Sequence, residues 1–225
     1  MCEAQGDELH LGAMYSNRAC LWIMLNDPKR FDSDTKAVLE LARRIGNIRL
    51  ERDVQLNAGY FHYWRGEHAV AEPHVERVMS LDQKRLSQGY RPDGDVLLAR
   101  VKWARGERGP ASAIVRRVIE HQAGARENKQ NELLLAPNDQ MLLHVIALAT
   151  SNGSAAEWDE ALEEARQLAQ GQELIEVLEL RGIVAQEAGQ TELARRAWDE
   201  ALAVGENIPN VMAERIRARL AALKG

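Results

Sequence analysis

Apolar residues recur at intervals of four and three along much of the chain, as in Ala71, Val75 and Val78, in Ala111, Val115 and Val118, and in Ala194, Trp198 and Ala201. That spacing keeps one face of an α-helix apolar. The stretches between such runs hold the Gly, Asn and Pro residues that end helices. Together they predict five pairs of helices, A followed by B. The first unit covers about 8–45, with helix A near Glu8–Leu25, helix B near Ser33–Ile45, and a long turn containing Pro28. The second covers about 48–81 and the third about 95–121, with its helix B near Ala111–His121. The fourth covers about 139–168 and the fifth about 173–204, and a last helix over about 211–223 reads as a cap on the final hairpin. Segments 82–94 and 122–138, rich in Gly, Pro, Asn and Lys, read as irregular linkers, and the longer turn Ser151-Asn152-Gly153-Ser154 leaves the fourth register ambiguous.

The pattern repeats. A shift of 40 residues carries Asn17 onto Asn57, Ala19 onto Gly59, Leu21 onto Phe61 and Asn26-Asp27 onto Gly66-Glu67. A second shift of 40 carries Gly66-Glu67 onto Gly106-Glu107 and Gly59 onto Ala99. Self-similarity at such a period is the mark of a stacked repeat. In the last unit Gly182, Gly189, Ala194, Trp198 and Ala201 stand at intervals of 7, 5, 4 and 3, and Gly59, Gly66, Ala71, Val75 and Val78 repeat those intervals. Small residues let antiparallel helices approach, a larger one fills the gap between them, and the glycine takes the left-handed backbone that ends a helix.

This arrangement resembles the tetratricopeptide pattern. The resemblance implies an all-α fold, an α-α superhelix (solenoid) of about five helical hairpins plus a C-terminal capping helix, forming a single domain over 1–225. Because Gly6-Asp7 aligns with Gly46-Asn47, Met1–Gln5 corresponds to the end of a helix B, so the chain is expected to be part of a longer protein. In the family register, helix A positions 2, 5, 6, 9, 12 and 13 line a concave groove. They place Asn17 on the first unit, Asp53, Asn57, Tyr60, Tyr63 and Trp64 on the second, and Arg100 and Trp103 on the third as candidate partner-binding residues. Phe61 is expected to point into the hairpin while Tyr60, Tyr63 and Trp64 share the other face. Large, rigid aromatics suit binding hot spots, and paired asparagines suit a peptide backbone. The family's clamp for chaperone C-termini does not fit, because Ser16, Cys20, Asp93 and Leu97 stand where it needs Lys, Asn or Arg. The segments Leu41–Asn47 and Asn57-Ala58-Gly59-Tyr60 are similar to the longer repeat arrays of large bacterial signalling proteins, which follow a Ser/Thr kinase or a signal-transduction ATPase module. That similarity implies a scaffold or sensor arm.

Composition narrows the chemistry. A net charge of −5 with both signs interspersed gives no basic footprint for nucleic acid. The basic group Lys84-Arg85 with Arg91 reads as a solvated loop. Two cysteines, Cys2 and Cys20, make no disulfide framework, which suits a reducing cytoplasm. No apolar run is long enough for a membrane span, and the start lacks a signal-peptide pattern. The six histidines form no His-Glu-x-x-His motif, and no phosphate loop or nucleophile elbow is present. No catalytic residue, metal ligand or cofactor is therefore assigned. The expected function is a non-catalytic module binding a protein or peptide on its concave face. The alternative is a sensor arm for a small molecule or signalling peptide, and self-association through an open N-terminal edge is a third reading.

Overall fold

A computed structural model of the chain describes residues 7–84, 91–130, 134–169, 171–208 and 210–223. Among these residues the protein is all-helical, with eleven α-helices and no strand. They are α1 (Glu8–Met24), α2 (Pro28–Arg44), α3 (Ile48–Trp64), α4 (His68–Gln83), α5 (Asp93–Ala104) and α6 (Arg108–Glu127). They continue with α7 (Pro137–Ser151), α8 (Ala155–Leu168), α9 (Gln172–Glu187), α10 (Thr191–Val204) and α11 (Ala213–Ala222). Among the described residues no helix is long and apolar enough to cross a membrane.

The turns carry the repeat into three dimensions. Asn26, Gly46, Gly66, Gly106 and Gly189 all take positive φ, from 49° to 81°. Each is followed by a residue whose backbone N–H donates five positions back: Asp27 to Trp22, Asn47 to Ala42, Glu67 to His62, Glu107 to Lys102 and Gln190 to Ala185, all at 2.8–3.0 Å. This closes the last carbonyls of the preceding helix and reverses the chain with a left-handed residue. Asn26 does in the first hairpin what glycine does at the other four turns, since Asn tolerates that conformation best among the side chains.

Three boundaries differ from expectation, and an ambiguous turn takes a definite form. Helix α2 begins at Pro28, because Asp27 caps it by accepting from the Arg30 N–H at 3.1 Å and proline suits the first helical turn. The long turn predicted there is a tight one. Helix α6 runs on to Glu127, with Gln122 and Ala125 buried, so most of its polar tail is a solvated helical face rather than linker. Helix α7 starts early, also with proline in its first turn. In the fourth hairpin Asn152 adopts the left-handed conformation (φ 56°), and Ser154 forms a capping box with Glu157, which absorbs the longer turn. Met1–Gln5 and residues 85–90 of segment 82–94, Arg85 among them, lie outside the described residues.

The chain divides into two compact units. The first is Met1–Tyr63 with Glu67–Tyr90, and the second is Trp64–Gly66 with Arg91–Gly225. In the first, Ala71, Val75 and Val78 of α4 are wholly buried, and Phe61 of α3 packs on Phe31 of α2 with ring centroids 4.1 Å apart. In the second, each helix packs on the next, while α5 also meets α7 and α7 meets α9. Trp158 and Trp198 are the largest side chains fully enclosed there. At Gly182 a β-carbon would stand 2.1 Å from Trp198 Nε1, so the close approach of α9 and α10 requires glycine. Helix α11 packs on α10 with Ile216 buried, and Arg215 donates to both carboxylate oxygens of Glu179 at 2.7 and 2.6 Å.

Candidate functional site

The eight residues singled out from the sequence divide by burial. In the first unit Asn17 is exposed on α1, while Asp53, Asn57 and Tyr60 are partly exposed on α3. Asn57 Nδ2 lies 3.5 Å from Cys20 Sγ, which joins face position 6 of α3 to face position 9 of α1. Asp53 pairs with Arg49 at 3.9 Å and Arg52 at 3.6 Å along its own helix. Tyr63 is different. Its ring is buried and lies 5.6 Å from the His68 ring. Of the three aromatics expected to share an open face, Tyr60 alone keeps surface.

In the second unit Trp64, Arg100 and Trp103 are all buried. Glu176 accepts Trp64 Nε1 at 2.8 Å, Arg100 Nε at 2.7 Å and a further hydrogen bond from Arg100 Nη2. A buried guanidinium and a buried carboxylate are tolerable together only when the remaining lone pairs are satisfied in this way. Trp103 Nε1 donates to the Ala149 carbonyl at 3.3 Å, and the Arg108 guanidinium sits 3.6 Å from its ring centroid. These three side chains are spent on the protein's own packing. A spacing rule marks which face of a helix a residue occupies, but not which later helix covers that face.

The first unit also holds a histidine cluster that no spacing in the sequence announces. His62 of α3 and His74 of α4 stack with centroids 5.5 Å apart and planes 9° from parallel. His62 Nδ1 is 2.7 Å from Glu67 Oε2, and His74 Nδ1 is 2.6 Å from Gln55 Oε1. Both partners are oxygen acceptors, so each Nδ1 carries the proton and each Nε2 faces away from that bond. Burial, reinforced by the charge on His62, pushes the His74 pKa down to about 4, which keeps it neutral at pH 7. Beside the pair opens a pocket of about 340 Å³ lined by Phe31, Asp32, Thr35, Lys36, Leu39, Glu40 and Arg43 of α2 together with both histidines. Thr35 is 7% exposed, and its hydroxyl has no hydrogen-bond partner.

Below the pocket, Glu51 accepts Arg77 Nη2 at 2.8 Å and Arg43 Nε at 3.2 Å. Burial raises the Glu51 pKa, but these hydrogen bonds outweigh it and hold the carboxyl below the ordinary range. Among the described residues no three His, Cys, Asp or Glu side chains converge as metal ligands would. No protein-family model matches the chain, and no curated protein matches it.

Proposed function

We propose that the chain is a non-catalytic, tetratricopeptide-like module whose hairpins stack as a superhelix and bind a peptide or protein segment on the A-helix face of the first unit. The observation that carries this reading is a contact between face positions of neighbouring repeats: Asn57 beside Cys20, with Asn17 and Tyr60 at surface on the same two helices. Primary amides at successive repeats can hold an extended backbone through paired donors and acceptors, and Tyr60 offers contact area with few rotors to freeze. Scaffolding or regulation within a larger signalling protein is the setting this reading favours. The second reading, a sensor arm for a small molecule, is favoured by the pocket beside His62 and His74.

The test is capture of a partner from native lysate, followed by calorimetric titration of the purified partner. An Asn57→Ala/Tyr60→Ala variant with an unchanged circular dichroism spectrum is expected to bind at least about tenfold more weakly, as truncation at a hot spot does. Equal affinity for both proteins would remove the α1–α3 face from the reading.

A further inference from the structure

We propose that the pocket between α2, α3 and α4 is a ligand site for an uncharged aromatic ring bearing one N–H or O–H donor, of the phenol or indole class. It lies off the α1–α3 face, so it stands or falls separately from the partner reading.

Four observations converge on that chemistry. The first is size: about 340 Å³ lies at the lower end of the range of ligand pockets, enough for one or two rings. The second is charge. Lys36 and Arg43 on the lining are matched in number by Asp32 and Glu40, so neither an anion nor a cation is favoured. The third is the set of unused polar atoms. His74 presents Nε2 as a bare acceptor once Nδ1 has donated to Gln55, and Thr35 brings a buried hydroxyl with nothing to bond. An unsatisfied buried hydroxyl is destabilising, and a ligand group that bonds it recovers that cost. The fourth is the wall. Phe31, Leu39 and the parallel imidazoles give flat, mainly apolar surfaces, and aromatic rings pack on such surfaces in offset or edge-to-face geometry. The same two imidazoles lack a third ligand for a metal among the described residues.

One ring chemistry has two sources, a free small molecule or the side chain of a Tyr or Trp in a peptide. The experiment titrates phenol, indole and toluene, and then N-acetyl-tyrosinamide and N-acetyl-tryptophanamide, into the full chain. Imidazole ring signals of His62 and His74 are followed by NMR. Phenol or indole is expected to give saturable shifts at both histidines, with toluene clearly weaker. Thr35→Val removes the hydroxyl at nearly constant shape, so the apo protein keeps its melting temperature or gains slightly, while ring affinity falls about three- to tenfold. Response to the capped amino acids as well assigns the site to a peptide side chain, and response to the free rings alone assigns it to a small molecule. Absence of saturable shifts, or toluene binding as well as phenol, overturns the proposal. So does an unchanged affinity in Thr35→Val.

Discussion

The α9–α10 hairpin of the second unit and the α3–α4 hairpin of the first share one set of intervals and fill them differently. In α9–α10 the slot between the helices is taken by Trp198, whose Nε1 donates to the Glu179 carbonyl at 3.1 Å and whose ring presses on Gly182. In α3–α4 the corresponding residue is Val75. Bulk there comes from α3 itself, through Phe61 on Phe31 and the His62–His74 stack. The repeat thus specifies where two backbones approach, and leaves open which helix supplies the filling. Where one indole fills the gap, the hairpin closes. Beside the α3–α4 hairpin a pocket remains, lined chiefly by α2 together with His62 and His74.

Replacing the filler should break the two hairpins unequally. Trp198→Ala is expected to cost about 3–5 kcal/mol, as large-to-small changes at buried aromatics do, whereas Val75→Ala should cost about 2 kcal/mol. Urea unfolding with amide exchange read separately on α9–α10 and α3–α4 measures both. Equal losses would contradict the unequal filling of the two slots.

Ion pairs sharpen the contrast next. Glu176→Gln leaves the buried Arg100 without its counter-charge and should cost about 3 kcal/mol. In the first unit Asp34 accepts two bonds from Arg18 at 2.6 Å and one from Trp22 at 2.7 Å, but the Arg18 side chain is half exposed. Asp34→Asn should cost only about 1 kcal/mol, since solvent screens the pair.

The histidine cluster makes the first unit the acid-sensitive one. The folded His74 pKa of about 4 lies below its ordinary 6.5, so the stability it lends is complete above pH 6.5 and is lost as pH falls toward 4. Discounted for partial exposure, the loss is about 2 kcal/mol. Asp34, held low by Arg18, and Glu51, held low against burial by Arg77 and Arg43, extend the loss as pH falls through the carboxylate range. Urea midpoints at pH 7.5 and pH 5 should separate for the parent and converge for His74→Phe. The smallest effect belongs to the turns. Gly189→Ala meets no neighbouring atom but keeps φ at 73°, so about 1 kcal/mol of backbone strain is expected in the melting curve.

The order of helices and the turn positions were legible because local chemistry decides them: a left-handed residue ends the helix at each hairpin turn described, and Asn26, Asn152 and the glycines supply it. The Gly182–Trp198 contact was legible for the same reason, since its two partners sit in one hairpin. Pro28 was misread as turn material because proline serves both a turn and a helix start, and the choice rests on Asp27 as cap. The site was legible only in part. Tyr63, Trp64, Arg100 and Trp103 stand at face positions by spacing, yet their covering partners, His68, Glu176 and Ala149 among them, lie in other helices. The pocket was invisible for a related reason. Its lining joins Phe31, Thr35, His62 and His74, which no short motif connects.

The most direct measurement is deuterium exchange across the chain with and without the captured partner. Slower exchange in α1 and α3 around Asn17, Asn57 and Tyr60, with α5 and α9 unchanged around Arg100 and Glu176, is the predicted result. Protection confined to α5 and α9, with α1 and α3 unaffected, would contradict the placement of the binding face.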